Sequence, residues 1–387
     1  MLRHYITVAL RNLLKHKGQT LISIIGLAVG LLCFALCTYL IRYWMNEDDG
    51  FANKERIAEI VLVSENEYLI SGTPASLAID IRNKQFSGIE RITKASYNRP
   101  ENLSFEVSET KVLPYKLYAM EADTNFLAVF ERQLVAGNPS VVSTQPNMLL
   151  LSQTAAKRIY GDKNPIGKKV ISQDQKAYTI GGIFNDFPTN SSISPFEPIE
   201  VLKLSVLDGF LEQRLEGRTG CLTYALTSPG FKPNDLDKQL LNTGMEVLLF
   251  DKEPNPARAY PLGQTKYKNT GNKIFFGFIF LIGLLIFLSA LLNYFSFTTG
   301  NFYNRIKEFS IRKGIGEERK SLFFLLFSET LLSLLLTAIL ALCLTELFVP
   351  GFQFNFFRVH IKFDSWVLAR QIGEYLLFCI ALSVLIC

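Results

Sequence analysis

The chain has 387 residues, of which 49% are hydrophobic and 19% charged, and its formal net charge is +5. A charge this small, spread along the whole chain, argues against a nucleic-acid-binding protein, which would carry a concentrated basic patch. The hydrophobic residues are unevenly distributed: long uncharged runs lie near both ends, and a polar region separates them. This distribution is typical of an integral membrane protein with one large domain outside the bilayer.

The polar region contains few residues that carry chemistry. It has one cysteine, Cys221, and none of the three histidines. A single cysteine cannot form a disulfide within the region, and without histidine neither a His-based zinc site nor a Ser-His triad is expected. The segment from Gly161 to Lys169 superficially resembles a phosphate-binding loop, but its glycine spacing is one residue too long. We therefore predict a non-enzymatic chain with no catalytic residues, no metal and no cofactor.

The N-terminal residues 1–20 form a basic segment before the first apolar run. His4 to Lys17 places its apolar side chains along one helical stripe, which predicts an amphipathic helix on the membrane surface. Leu21 to Ile41 then runs without a charge and, as a helix, is long enough to cross a hydrocarbon core of about 30 Å. The alternative, a cleaved signal peptide, is disfavoured because the run is too long and lacks a small-residue cleavage site. We predict the first span over residues 21–45.

Residues 46–272 form the polar region, which we predict to be a large mixed α+β domain. At its start, residues 42–60 have a pattern that can continue the first span as a helical stalk, interrupted at Gly50. A stalk would join movement of the span mechanically to the domain. Farther along, Thr73 before Pro74 predicts a helix start, with the threonine hydroxyl as the cap.

The middle of this domain alternates strands with a helix. Ser152 predicts the cap of a helix over Gln153 to Tyr160, and Gly161 predicts its end. Apolar stretches on either side predict strands at Met148 to Leu151, Val170 to Ser172 and Ala177 to Phe184.

Three further apolar runs follow the polar region. Ile274 to Phe297 has no charge, whereas Leu322 to Phe348 is interrupted by Glu329 and Glu346. Tyr375 to Cys387 is short for a span, and we interpret it as a fourth helix truncated by the end of the sequence; a short anchor ending within the bilayer is the alternative. The predicted fold is an α-helical bundle of four spans, with the mixed α+β domain between the first and the second. Spans two to four are predicted over 273–299, 321–348 and 371–387, joined by a cytoplasmic segment at 300–320 and an outer loop at 349–370.

Basic residues indicate the orientation of the chain. The segment before the first span has Arg3, Arg11, Lys15 and Lys17 and no acidic residue, and the segment between spans two and three is also rich in arginine and lysine. By the positive-inside rule, both segments are cytoplasmic. The N-terminus then lies inside, and the mixed domain and the loop at 349–370 lie outside.

Several motifs together resemble one known family along almost the whole chain. They are Leu10 to Lys15, Ile25 to Gly30, Asp123 to Phe126, Tyr160 to Gly167, Tyr178 to Ile183, and above all Arg305 to Gly316 followed by Ser328-Glu329. With these motifs the chain resembles the MacB/FtsX-like permeases of ABC transporters from Bacteroidetes-type bacteria. That family has the pattern R-x-K-E-x-G-I-R-K-x-x-G, and this chain departs from it with Ser310 in place of a glycine.

The resemblance implies a MacB-like periplasmic core domain within 46–272 and an FtsX-like permease domain over 273–387. It implies an inner-membrane permease without a nucleotide site, which works with a separate cytoplasmic ABC ATPase whose action moves the periplasmic domain. Close family members are often longer, with a second set of spans, which implies an N-terminal half or a fragment here. It further implies a homodimer, or a pseudo-dimer with a second half-repeat, in contact with membrane lipid and with a periplasmic or outer-membrane partner.

Three functions are compatible with this resemblance. The first is ATP-driven export of periplasmic peptides, lipoproteins or small toxic compounds. The second is an FtsX-like signalling or regulatory protein that controls a periplasmic partner such as a cell-wall hydrolase, or that senses antimicrobial peptides. The third is a periplasmic scaffold with no energy coupling.

The segment between spans two and three is the predicted ATPase-coupling site, because the motif match is strongest there. Its basic residues would contact acidic groups of the ATPase, and its apolar residues would anchor the contact. A solvated loop without a partner is the alternative. The residues predicted to couple are Arg305, Lys307, Glu308, Ile311, Arg312, Lys313 and Gly316.

Three residues within the spans are predicted to pack helices. Gly26 and Gly30 form a G-x-x-x-G pattern, which lets another helix approach closely and leaves open whether that helix belongs to a second copy of the chain. Glu329 is an ionisable group within the third span, costly unless it is paired or hydrated. We predict that Glu329 bonds to a neighbouring helix near the cytoplasmic face.

Overall fold

The computed structural model describes residues 2–15, 17–108, 111–188, 190–194, 197–205, 220–248, 254–265, 270–316, 319–352 and 363–386. The chain divides into two compact units. The first, called the membrane unit below, comprises Met1–Met45 and Ile274–Cys387. The second, called the core domain, comprises Asn46–Lys273.

The described helices and strands are numbered in chain order. The helices are α1 (Leu2–Lys15), α2 (Lys17–Met45), α3 (Ala75–Asn83), α4 (Phe126–Val129), α5 (Pro139–Thr144), α6 (Gln153–Tyr160), α7 (Pro233–Thr243), α8 (Thr270–Asn304), α9 (Ile306–Gly314), α10 (Arg319–Phe352) and α11 (Ser365–Ile386). The strands are β1 (Ile57–Val63), β2 (Leu69–Ile70), β3 (Ile89–Ser96), β4 (Arg99–Ser108), β5 (Lys111–Asp123), β6 (Leu134–Gly137), β7 (Met148–Ser152), β8 (Lys169–Ser172), β9 (Ala177–Phe184), β10 (Val201–Ser205), β11 (Cys221–Thr227), β12 (Glu246–Leu248) and β13 (Pro254–Pro261).

Four of the described helices are long and apolar enough to span a membrane. They cover Lys17–Met45, Lys273–Tyr303, Arg319–Phe348 and Ser365–Leu385. The last of them, α11, has 22 residues, because it begins well before the uncharged run at Tyr375. Its first turns contain Arg370 and Glu374, whose side chains form an ion pair of 3.1 Å one helical turn apart. The fold is thus a four-helix membrane unit with a mixed α+β domain inserted between the first and second spans.

Helix α2 is the most enclosed of the four spans. One side of it packs Leu27, Leu31 and Phe34 against buried side chains of α8, α10 and α11. Another side packs Ala28, Ala35 and Tyr39 against α10 and α11. The small residues let the neighbouring helices approach, so α2 forms the centre of the membrane unit.

The 13 described strands of the core domain form one sheet, part of which closes on itself. Strands β4, β5, β10, β7, β9 and β8 pair in this order, and β8 pairs with β4 again, so the six form a closed ring. Inside it lies an apolar cluster that includes Leu103, Phe105, Leu149 and Ile180. From β5 the sheet continues through β3, β11, β1, β13 and β12 as an open layer that does not close into a ring. Helices α3 and α7 pack on one face of that layer through Leu77, Ile81, Leu236 and Leu240.

The predicted helical stalk over residues 42–60 is wrong. Helix α2 ends at Met45, and the residues from Asn46 to Gly50 form turns. Ile57–Val63 is a strand, β1, which pairs with β11 on one side and β13 on the other. Nearly every side chain of β1 is buried, because the sheet is covered on both faces. In such a strand the apolar residues no longer alternate, and the pattern also fits a helix.

The two predicted helix caps have different outcomes. Ser152 caps α6 as predicted, since its Oγ accepts a hydrogen bond of 3.1 Å from the Ala155 amide, and α6 ends at Gly161. Thr73 does not cap α3, whose first flanking residue is Pro74. The Thr73 hydroxyl lies instead 2.7 Å from the Thr223 hydroxyl, within the covered face of the sheet.

Candidate functional site

The helix α9 connects two spans and carries the predicted coupling residues. Helix α8 ends at Asn304 and α9 begins at Ile306, so Arg305 forms the corner between them. The amide of Arg305 donates to the Phe302 carbonyl at 3.0 Å, and its carbonyl accepts from the Phe309 amide at 3.1 Å. The backbone of the corner is therefore hydrogen-bonded on both sides, which fixes the direction in which α9 leaves α8.

The side chain of Arg305 points into the membrane unit and binds two carboxylates. Its Nη1 lies 2.8 Å from Oε2 of Glu329 in α10, and its Nε lies 3.2 Å from Glu308. Asn12 of α1 donates a further hydrogen bond of 3.2 Å to the same Glu329 oxygen. The side chains of Arg305 and Glu329 are only 14% and 11% exposed, so the pair is largely shielded from solvent. One buried carboxylate thus holds together α1, α10 and the corner that begins α9.

The opposite side of α9 is exposed and combines apolar with basic residues. Ile306, Ile311 and Ile315 are 48%, 64% and 83% exposed. Lys307 and Lys313 are exposed beside them. Three exposed isoleucines within a short basic segment form a surface suited to a partner. Soluble proteins rarely expose several large apolar side chains together unless they mark a binding site. We call Ile306, Ile311, Ile315, Lys307 and Lys313 the α9 surface.

The remaining predicted residues have distinct positions. Phe309 is half-buried, and the Arg305 guanidinium lies 5.0 Å from its ring centre. Gly316 ends the segment at φ +98°, a backbone conformation that favours glycine over any residue with a Cβ. The side chain of Arg312 lies outside the described residues. The structure therefore brings Arg305, Glu308 and Glu329 together and leaves Lys307, Ile311 and Lys313 on the surface.

Gly26 and Gly30 face α8 of the same chain. A Cβ at Gly30 would overlap the Ala290 methyl group, whereas a Cβ at Gly26 would lie 3.7 Å from the Asn293 amide nitrogen. The close approach predicted from the G-x-x-x-G pattern is thus made between two spans of one chain, and Gly30 is the residue that requires it.

A second region, in the core domain, fixes the residues that follow the first span. The amide of Asp48 donates to the Asn190 carbonyl at 2.9 Å, and the Asp48 carboxylate accepts from the Ser192 amide at 2.8 Å. A Cβ at Gly50 would lie 2.5 Å from Cγ of Pro188. The chain from Asp48 to Gly50 therefore lies directly against a loop of the core domain, without space for a larger residue at Gly50.

Arg132 completes this second region. Its guanidinium donates to the Gly50 carbonyl at 2.9 Å and to the Asp186 carbonyl at 3.4 Å. It lies 5.0 Å from the ring centre of Phe51 and 5.7 Å from that of Phe187, within reach of a cation–π interaction. Burial lowers the pKa of Arg132 from its ordinary value, and Glu131 opposes this effect. We call Asp48, Gly50 and Phe51, with their contacts to Arg132 and to Phe187, Pro188, Asn190 and Ser192, the linker clamp.

The roles of Asn12 and Arg132 were not predicted from the sequence. Asn12 is a neutral residue in an amphipathic segment, and Arg132 binds backbone carbonyls that any residue type supplies. Asn12 lies within the motif Leu10 to Lys15, but nothing in that motif singles out its side chain, and Arg132 lies in no motif. Among the described residues, no group of three or more histidine, cysteine or acidic side chains could hold a metal ion.

Comparisons with known structures find several similar proteins. A domain of a permease protein from Porphyromonas gingivalis is 23% identical, covering 55% of this chain and 93% of that domain, with a TM-score of 0.44. The periplasmic region of MacB from Actinobacillus actinomycetemcomitans is 16% identical over 58% of this chain and 95% of its own length, with a TM-score of 0.39. The extracellular domain of the ABC-type transporter YknZ from Gram-positive bacteria is 16% identical over 53% of this chain and 99% of its own length, with a TM-score of 0.33. No curated protein matches the chain.

Two family models match the sequence, and together they extend over both units. Residues 20–240 match the MacB-like periplasmic core domain, and residues 280–387 match the FtsX-like permease C-terminal domain. The first match alone spans more than half of the 387 residues. Members of this family are multi-pass membrane permeases that associate with a cytoplasmic ABC ATPase. The chain belongs to the MacB/FtsX-like family of ABC transporter permeases.

Proposed function

We propose that this chain is the permease subunit that transmits movement, driven by a separate cytoplasmic ATPase, to the core domain in the periplasm. The observation that carries the proposal is the arrangement of the two sides of α9. The α9 surface is exposed on one side, and Arg305 is bound to Glu329 on the other. The ATPase binds the α9 surface, with the isoleucines as apolar anchors and Lys307, Arg312 and Lys313 facing its acidic groups. Arg305, Glu308 and Gly316 hold α9 in position for this contact.

A rigid attachment of α9 supports this transmission. Because Glu329 also receives a hydrogen bond from Asn12, a displacement of α9 moves α10 and α1 with it. The linker clamp has the corresponding role at the far end of α2, since the residues after Met45 are fixed to the core domain rather than free. The linker clamp thus has the mechanical role that was predicted for a helical stalk, which is to join movement of the first span to the core domain.

The orientation and the partners follow from the same proposal. The N-terminus and α9 lie in the cytoplasm, the protein lies in the bacterial inner membrane in contact with lipid, and a second copy or half-repeat completes a dimer. A periplasmic or outer-membrane protein receives the movement of the core domain. The work performed is export of peptides, lipoproteins or small toxic compounds, and regulation of a periplasmic hydrolase or sensing of antimicrobial peptides is the competing outcome.

Co-purification of the ATPase tests the docking surface. The tagged protein is isolated from its native membrane, and associated proteins are identified by mass spectrometry, with an Ile311→Asp variant beside it. A charge in place of an exposed apolar anchor is expected to abolish recovery of the ATPase. Leu241→Asp is the matched control, because Leu241 is also an exposed apolar residue, 48% exposed, but lies in the core domain. Equal recovery of the ATPase with both variants, or no ATPase with the parent protein, would refute the proposed docking surface.

A flexible insertion tests transmission separately from docking. A short glycine-serine insertion after Gly50 breaks the linker clamp, and the same insertion after Asp174 lies in the turn between β8 and β9. We expect the first variant to retain the ATPase and its hydrolysis but to lose complementation of a gene deletion. The second variant should retain both. Full complementation by the Gly50 insertion would show that the clamp transmits nothing.

A further inference from the structure

We propose that the membrane unit binds one water molecule in a polar cavity beside Glu329. The cavity has a volume of about 30 Å³ and is lined by residues of α1, α2, α8 and α10. Its lining includes the polar side chains of Ser23, Tyr294, Glu329 and Ser333. A polar cavity needs roughly 10–15 Å³ to hold a water molecule, so this one has the required size and chemistry.

One buried polar atom in the lining has no partner among the described residues, and a nearby carboxylate oxygen can accept a further hydrogen bond. The side chain of Ser23 is 6% exposed, and its Oγ makes no hydrogen bond with any residue in the described part of the chain. Both hydrogen bonds received by Glu329 end on Oε2, which leaves Oε1 able to accept another. A buried hydroxyl without a partner is costly, which favours a ligand that bonds to Ser23 and can also reach Oε1 of Glu329.

The neighbouring hydroxyl groups define what this ligand must do. Tyr294 and Ser333 share a hydrogen bond of 2.5 Å, and Ser333 also lies 2.9 Å from the Thr330 carbonyl. Their hydrogens are therefore engaged. The ligand must accept a hydrogen bond from Ser23 and donate one to Glu329, and water does both. A metal cation cannot accept a hydrogen bond, and it would be repelled by the Arg305 guanidinium, 2.8 Å from Glu329.

The water has a consequence for the α9 attachment. A shielded ion pair is stable only if the remaining lone pairs of its carboxylate are also satisfied. A water that donates to Oε1 completes the hydrogen bonding of Glu329 in its charged form. Ser23 is then a positioning residue of the Arg305–Glu329 pair, although it contacts neither residue through a direct hydrogen bond.

X-ray radiolytic footprinting of the purified full chain in nanodiscs tests the proposal. Radiolysis of a bound water oxidises the side chains around it, and mass spectrometry measures the rate at each residue. Tyr294 and Phe287 lie on the same helix and are 2% and 4% exposed, so access to bulk solvent gives them equally slow labelling. A bound water makes Tyr294 label several-fold faster than Phe287, each rate being normalised to the unfolded chain. Equal normalised rates would overturn the proposal.

A serine substitution identifies the partner of the water. Ser23→Ala should lower the Tyr294 rate toward that of Phe287, because the water loses the donor that holds it. Ser383→Ala is the matched control, since Ser383 is buried in α11 and its hydroxyl donates to the Ile380 carbonyl at 2.7 Å. Fast labelling of Tyr294 that persists in Ser23→Ala would show that Ser23 does not hold a water, and would equally overturn the assignment.

Discussion

Arginine fixes a chain segment in each of the two units, but by different chemistry. In the membrane unit, Arg305 binds the carboxylates of Glu329 and Glu308. In the core domain, Arg132 binds the backbone carbonyls of Gly50 and Asp186 and lies against the ring of Phe51. Both side chains approach one aromatic ring to 5.0 Å. The two sites therefore differ mainly in whether a charge or a neutral carbonyl receives the guanidinium.

The difference follows from the backbone around each site. Within the long helices of the membrane unit, nearly all carbonyl oxygens already accept hydrogen bonds from amides four residues ahead. At the corner after α8, the Phe302 carbonyl already accepts from the Arg305 amide, and the Arg305 guanidinium binds the carboxylates of Glu329 and Glu308. The loops around Gly50 and Asp186 leave carbonyls available, so Arg132 needs no opposite charge. An arginine site in a helical membrane unit thus carries a signal in the sequence, a carboxylate within a span, whereas one in a loop region does not.

Removal of the carboxylate should produce the largest effect. Glu329→Ala leaves Arg305 shielded and without its main partner, and breaking a buried ion pair in this way costs about 3–5 kcal/mol. Unfolding in detergent is followed by tryptophan fluorescence, which reports the membrane unit because Trp44 and Trp366 are the only tryptophans of the chain.

Glu308→Ala is the control for this variant. Glu308 also binds Arg305 but is 43% exposed, so its loss should cost about 1 kcal/mol at most. If the Glu329 and Glu308 variants were equally stable, Arg305 would be well solvated. Arg305 would then not require a carboxylate, and its site would not differ in this respect from the site of Arg132.

Replacement of each arginine by lysine separates charge from geometry. Lysine keeps the charge that Glu329 requires, but it lacks the planar fork that reaches two carbonyls at once. We expect Arg132→Lys to destabilise the core domain by about 1–3 kcal/mol, through the lost hydrogen bonds to Gly50 and Asp186. Arg305→Lys should destabilise the membrane unit by less. The reverse order of effects would mean that charge matters more in the loop than between the helices.

Cys221 provides the measurement for the core domain. It is the only cysteine in the polar region, it is fully buried, and burial raises the pKa of its thiol to about 12. A folded core domain therefore keeps Cys221 unreactive toward a water-soluble maleimide at neutral pH, where the thiol is protonated and covered. The rate of Cys221 labelling in rising urea then reports the opening of the core domain alone.

The architecture could be predicted where local patterns decide it. Long apolar runs indicated the first three spans and a shorter one the fourth, and Ser152 with Gly161 indicated the limits of α6. The start of α11 was not predicted, because the uncharged run begins only after Arg370 and Glu374. These two residues form an ion pair, which is tolerated at the edge of a span. Glu329 could be predicted to bond a neighbouring helix, and it bonds Asn12 and Arg305, because an ionisable group in an apolar run requires a partner.

The other features depend on contacts between distant parts of the chain. Ile57–Val63 has a sequence that also fits a helix, and only its place between β11 and β13 makes it a strand. The linker clamp joins Gly50 to Arg132 and Pro188, all far apart in the sequence. Two of its hydrogen-bond acceptors are backbone carbonyls. Because every residue type has a backbone carbonyl, the sequence does not indicate which ones act as acceptors. The coupling role of the α9 surface remains a prediction until the ATPase contact is measured.

Glycines extend the comparison between the two units, with a smaller expected effect. Gly50 lies against Pro188 in the linker clamp, and Gly30 lies against Ala290 in the membrane unit. An added methyl group in either contact forces a shift that costs about 1–3 kcal/mol. In a helix, however, alanine is favoured over glycine by about 1 kcal/mol, which offsets part of the cost at Gly30. Gly50→Ala should therefore destabilise the core domain more than Gly30→Ala destabilises the membrane unit.

Gly26→Ala is the matched control, because it lies one turn from Gly30 in the same helix and meets only the Asn293 side chain at an ordinary contact distance. It keeps the helix-propensity gain without the overlap, so it should leave the membrane unit as stable as the parent or slightly more stable. Tryptophan fluorescence compares the two α2 variants, and Cys221 labelling follows Gly50→Ala. If Gly30→Ala were as stable as Gly26→Ala, the α2–α8 contact would be loose enough to accept a methyl group. In that case the close approach of the G-x-x-x-G pattern would not be required within one chain, and a second copy would again be the natural partner for it.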